Sequence, residues 1–87
     1  MTIKELKEKY AGQYYDFEVY KNFNSSSYGF HTDRIKAVDD YSDADEVIEY
    51  QLMDKEDYSN SILANVGTTW EDYGFEEDDK ILVIKIK

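Results

Sequence analysis

The apolar run Ile81-Leu82-Val83-Ile84, extended by Lys85-Ile86, is the feature that most limits what this chain can fold into. Branching at Cβ in Ile81, Val83, Ile84 and Ile86 favours the pleated strand. An uninterrupted run, in place of an alternating one, marks a strand covered on both faces. Lys80 to Ile86 is therefore predicted to be a central strand, and the rest of the chain must supply its neighbours.

Two further segments read as strands. In residues 13–21, Tyr15, Phe17 and Val19 alternate with Asp16 and Glu18, the period of an amphipathic strand. In residues 46–53, Val47, Glu49 and Gln51 are predicted on one face and Ile48, Tyr50 and Leu52 on an apolar one. Residues 34–40 fit a strand through Ile35 and Ala37, although Ile35 and Val38 also suit a helical turn; the strand reading is preferred. Proline is absent, so nothing demotes these strands.

Helical signals frame the strands. Thr2-Ile3-Lys4-Glu5 is a capping box, and Ile3, Leu6 and Tyr10 share a helical face, which predicts a helix over 3–10 ended near Gly12. Thr69 is placed to cap a short helix through Glu71-Asp72, with Trp70 and Tyr73 turned inward and Gly74 as the stop. Asn22 to Gly29, Asp39 to Asp45, Asp54 to Asn60 and Glu76 to Asp79 read as polar connections, and 61–65 fits a short strand or a helical turn. The expected fold is one α+β domain over 1–87: a small, mostly antiparallel sheet of three to five strands, an N-terminal helix and a short helix before the last strand.

Composition narrows the classes. A chain of 87 residues holds one domain with a thin core. Nine tyrosines, four phenylalanines and one tryptophan supply much of its large apolar surface, which sets it apart from disordered acidic chains. Cysteine is absent, so disulfides and thiolate metal sites are excluded. The apolar run is far short of the ~20 residues that cross a bilayer, and residues 1–10 lack the pattern of a signal peptide. A cytoplasmic protein is expected.

Charge is the most informative quantity. Twenty acidic and ten basic residues leave a net charge of −10. Residues 1–38 hold five acids and six bases, residues 39–79 hold fifteen acids and one base, Lys55, and residues 80–87 hold three lysines and no acid. Nucleic acids and anionic membranes are poor direct partners for such a chain. A basic protein surface is a good one.

Catalytic and metal-binding patterns are weak. His31, with Ser25 to Ser27 and Asp33 close in sequence, invites a Ser-His-Asp reading. Such a triad is assembled by a fold, not by clustering within one loop, and a loop histidine is the preferred reading. The acids of 39–49 do not match a calcium loop: a start at Asp43 puts Val47 and Ile48 where a ligand and a glycine are needed, and a start at Asp39 puts Tyr41 at a ligand position. Paired carboxylates, as in glycoside hydrolysis, carry no specificity among twenty acids. The glycines at 12, 29, 67 and 74 build no phosphate loop. Trp70 with Tyr73 and Phe75 fits either a binding hot spot or a cover for the sheet, and the cover is preferred.

The expectation is a non-enzymatic acidic interaction module without cofactor or metal, binding a basic protein partner. In its finer form it is a nucleic-acid mimic that inhibits a nuclease or host-defence protein, since DNA carries a charge about every 1.7 Å along its axis. Small inhibitors carried by mobile elements are similar in size and acidity, a likeness of composition alone. The residues assigned to partner binding are Asp39, Asp40, Asp43, Asp45, Glu46, Glu49, Asp54, Glu56, Asp57, Trp70, Glu71, Asp72, Glu76 and Glu77, with Tyr41, Tyr50, Tyr58 or Trp70 as anchors. The alternatives are a structural homo-oligomer joined through aromatic surface or a strand edge, and a small cation-binding domain using the carboxylates. Monomer and homodimer are both open.

Overall fold

A computed structural model describes residues 1–22, 35–64 and 67–86. Helix α1 spans Ile3–Lys9, and strands β1 (Asp16–Asn22), β2 (Ile35–Ala37), β3 (Val47–Met53) and β4 (Ile81–Ile86) form one sheet in the order β2-β1-β4-β3. Strand β4 is central, as its run of apolar residues predicts, and all six of its residues are buried. Its pairing corrects the expected topology. Strand β4 runs antiparallel to β3 but parallel to β1, while β1 and β2 are antiparallel. The sheet is mixed and not mostly antiparallel. The physical reason is the chain's route: β2 and β3 lie at opposite edges, so residues 38–46 must pass from one side of the sheet to the other.

Each face of the sheet has its own core. On one, α1 lays Ile3 and Leu6 against Val19, Leu82, Ile84 and Ile86, with Phe17, Val38, Tyr41, Val47 and Tyr50 around them. The capping box forms: Thr2 Oγ1 accepts from Glu5 N at 3.2 Å and Glu5 Oε1 accepts from Thr2 N at 3.0 Å. Two N–H groups of the first turn, Ile3 and Lys4, donate to the carbonyls of Asp45 and Asp43 at 3.1 and 3.0 Å. A helix of seven residues is too short to persist alone; its cap, these two bonds and the burial of Ile3 and Leu6 hold it.

The other face carries Tyr20, Met53, Ile81 and Val83 under Tyr58, Ile62, Leu63 and Trp70. Here Asp54–Asn60, expected to be a polar connection, is helical. Asp54 caps helix α2 (Lys55–Tyr58) by accepting from Asp57 N at 2.9 Å, and a π-helical turn continues it over Ser59–Leu63. Its polar residues line the outside while Tyr58, Ile62 and Leu63 turn inward. A 3-10 turn at Glu71–Tyr73 follows, with Thr69 Oγ1 accepting from Asp72 N at 3.2 Å and Gly74 closing it at φ +80°. Trp70 is buried as expected, whereas Tyr73 is 44% exposed.

Strand β3 departs from plain alternation. Its register against β4 shifts between Val47 and Glu49, a bulge that re-aims the side chains around it. Val47 joins the α1 core and Ile48 is left exposed, reversing the expected faces at these two positions. Beyond the bulge, Glu49 pairs with Lys85 and Tyr50 with Ile84. Among the described residues no helix is long and apolar enough to cross a membrane.

Candidate functional site

The acidic surface comes, apart from Glu49 on β3, from the connections between strands. None of the fifteen acids between Asp39 and Asp79 is buried. Five of them hold a cation: Asp43 with Lys7 (3.4 Å), Glu46 with the N-terminal ammonium (3.1 Å), Glu49 with Lys85 (2.8 Å), and Glu71 and Glu77 with Lys55 (2.9 and 3.0 Å). The other ten have no cationic partner among the described residues. Several of those are oriented by the backbone. Asp45 accepts from Ser42 N and Asp79 from Glu76 N, each at 2.8 Å, and Asp54 caps α2.

The predicted binding residues therefore divide. Asp39, Asp40, Glu56, Asp57, Asp72 and Glu76 present carboxylates outward. Asp43, Asp45, Glu46, Glu49, Asp54, Glu71 and Glu77 also hold the fold together. Lys55, the one base of the region, is clamped. The hydrogen bonds that Lys55 donates to Glu71 and then Glu77 raise its pKa, and Lys55 in turn holds the Glu71 carboxyl below its ordinary value. Trp70 cannot serve as an exposed anchor. It is 2% exposed, its indole N–H donates to the Glu76 carbonyl at 2.9 Å, and its ring packs on Tyr58 and Phe75. Tyr58 is fully buried as well. Tyr41 and Tyr50 are half-buried in the α1 core. The seryl run, His31 and Asp33 lie outside the described residues. Among the described residues, no group of three or more His, Cys, Asp or Glu side chains is arranged to hold a metal ion.

A second polar feature lies under the helical cover, and sequence reading missed it. Alternation along β1 puts Glu18 and Tyr20 on the face opposite Phe17 and Val19, beside Val83 and Lys85 of β4. Glu18 Oε1 accepts hydrogen bonds from both Tyr20 Oη and Tyr58 Oη at 2.5 Å. Burial, together with the adjacent Glu18 carboxylate, raises both phenols above the ordinary tyrosine range. Lys85, 2% exposed, reaches out of the same face to Glu49. The signal in sequence was the pair Glu18 and Tyr20 on one side of a strand whose other side is apolar. Its meaning depended on a cover for that face, which the polar sequence of 54–60 concealed.

Glu18 and Tyr20 also line a cavity of about 270 Å³ at the edge of β1, together with Phe17, Val38, Asp39, Tyr41 and Tyr73. Here β2, only three residues long, ends; Val38 N donates one more bond to the Val19 carbonyl at 3.0 Å, and residues from Ala37 to Tyr41 run along the cavity. The cavity thus brings together aromatic and acidic residues from segments far apart in sequence. Compared with known protein families, curated proteins and solved structures, the chain matches none.

Proposed function

We propose that this protein is a non-enzymatic, acidic interaction module of the cytoplasm that binds a basic surface on another protein. The observation that carries the proposal is the ten exposed or half-exposed carboxylates of 39–79 without a cationic partner among the described residues. Such a field steers a basic partner over a range set by the Debye length, ~8 Å at physiological salt. It favours on-rate and partner choice over raw affinity. Backbone bonds to Asp45, Asp54 and Asp79 fix carboxylate positions before binding, which lowers the ordering cost. The finer form, inhibition of a nuclease or host-defence protein by imitation of nucleic acid in the manner of mobile-element inhibitors, rests on charge alone.

The test is a pull-down at low and high salt, followed by reconstitution with the purified partner and competition with duplex DNA. A basic partner lost at high salt, and released by Asp39→Lys/Asp40→Lys/Glu56→Lys/Asp57→Lys, is the expected result. Mutual exclusion with DNA supports the mimic. Binding that is insensitive to both salt and charge reversal overturns the proposal.

One observation favours a homo-oligomer as a second reading. Strand β3 is a sheet edge, and Ile48 on it is 47% exposed. The bulge at Val47/Glu49 and the acids that flank the strand oppose edge pairing, so the first reading is preferred. A concentration-dependent dimer broken by Ile48→Lys would reverse that preference.

A further inference from the structure

We propose that the cavity at the β1 edge is a site for one alkylammonium or guanidinium group, the head of a lysine or arginine side chain. Three observations converge. The cavity of about 270 Å³ has Glu18 and Asp39 in its lining and, among the described residues, no cationic side chain. That volume is smaller than the ~300–1,000 Å³ of sites for drug-sized ligands and cofactors, and it suits a single side chain.

Glu18 is built in, not loose on the surface. Both phenol bonds fall on Oε1, which leaves Oε2 without a hydrogen-bond partner among the described residues. Tyr58, fully buried, and Tyr20, 8% exposed, lock the carboxylate in place. A fixed acceptor at the edge of a low-dielectric face is stronger than the same group in water.

The walls are aromatic: Phe17, Tyr41 and Tyr73 line the cavity with Tyr20. Cations are drawn to ring faces within about 6 Å. Carboxylate plus aromatic wall selects an organic cation over a bare metal ion, which would need several converging oxygens. The site itself stands on its own geometry. Its assignment to a side chain of a basic partner rests on the function proposed above, and a free amine is the other source of the same chemistry.

Arginine amide and its neutral isostere citrulline amide are the probes, read by amide and ring proton shifts on the labelled full chain. Arginine amide is expected to bind with a Kd on the order of 1 mM, moving signals of β1, Val38 to Tyr41 and Tyr73, while citrulline amide leaves them in place. Asp39→Asn and Tyr73→Ala, both at exposed positions, are expected to weaken binding about threefold to fivefold each with the fold intact. Equal binding of citrulline amide, or shifts spread evenly over the acidic loops, would overturn the proposal. The two readings separate through Glu56→Lys/Asp57→Lys. It should weaken the partner complex and leave arginine amide binding to within about twofold. If Asp39→Asn and Tyr73→Ala weaken both the partner complex and arginine amide binding, the cation comes from the partner. If they weaken arginine amide binding alone, it is a free amine.

Discussion

Replacing Tyr58 by Phe removes one hydroxyl from the face under α2 and keeps the ring. Tyr58 is fully buried and its hydroxyl donates to Glu18 Oε1 at 2.5 Å. A hydrogen bond to a charged group is worth about 1.5–3 kcal/mol. Glu18 is half-exposed and keeps the bond from Tyr20, so the lower part of that range applies, about 1.5–2 kcal/mol. For a domain of this size the loss corresponds to a fall in Tm of roughly 5–15 °C. Alkaline pH separates this cause from general loosening. Burial and Glu18 raise the pKa of Tyr20 and Tyr58 above the ordinary 10.0. Their contribution is therefore complete below pH 10 and is lost as pH rises, because the unfolded chain releases phenolic protons that the folded chain retains. Each such group steepens the loss by about 1.4 kcal/mol per pH unit, and the pair by about 2.7. Tyr58→Phe should halve this part of the slope. Thermal melts followed by circular dichroism between roughly pH 8 and pH 12 read both quantities. A variant with the wild-type Tm at neutral pH and the wild-type alkaline slope would show that the Tyr58 hydroxyl does not lie buried on Glu18.

Further outcomes are expected. Val47→Asp should destabilise by about 2–3 kcal/mol while Ile48→Asp stays within about 0.5, measured by urea melts, because the bulge turns Val47 to the α1 core and Ile48 to solvent; equal costs would remove the bulge. Gly74→Ala should cost about 1–2 kcal/mol from backbone strain alone, since φ is +80° and an added Cβ meets nothing within 4 Å; a neutral result would contradict the left-handed turn. Lys85→Met should be neutral or stabilising, because a buried ammonium is replaced by apolar contact while Glu49, 42% exposed, is left to solvent. Glu49→Gln should be destabilising by less than about 3 kcal/mol, its own exposure moderating the loss, and a larger gain in stability than Lys85→Met would refute this ordering. Thr2→Ala should cost about 1 kcal/mol by opening the capping box of α1, visible as a lower urea midpoint with an unchanged slope.

Residue order alone determined the central strand, because a four-residue apolar run in so charged a chain has no other place to go. It also determined the capped first helix and the Thr69–Gly74 turn, whose signals lie within a few residues of one another. The concentration of acids in 39–79 was plain from composition, and their exposure followed from the cost of burying a charge. Three things were decided only by tertiary structure. The parallel pairing of β1 with β4 depends on which edge the chain reaches after β2, and both directions satisfy the same alternation. Helix α2 is too short and too polar to reveal itself, and it exists because Tyr58, Ile62 and Leu63 find a sheet face to cover. Glu18, Tyr20, Tyr41 and Tyr73 meet around one cavity although they stand on segments distant in sequence. Local periodicity tells each strand which residues share a face, but only packing decides what covers that face and which charges are thereby brought together.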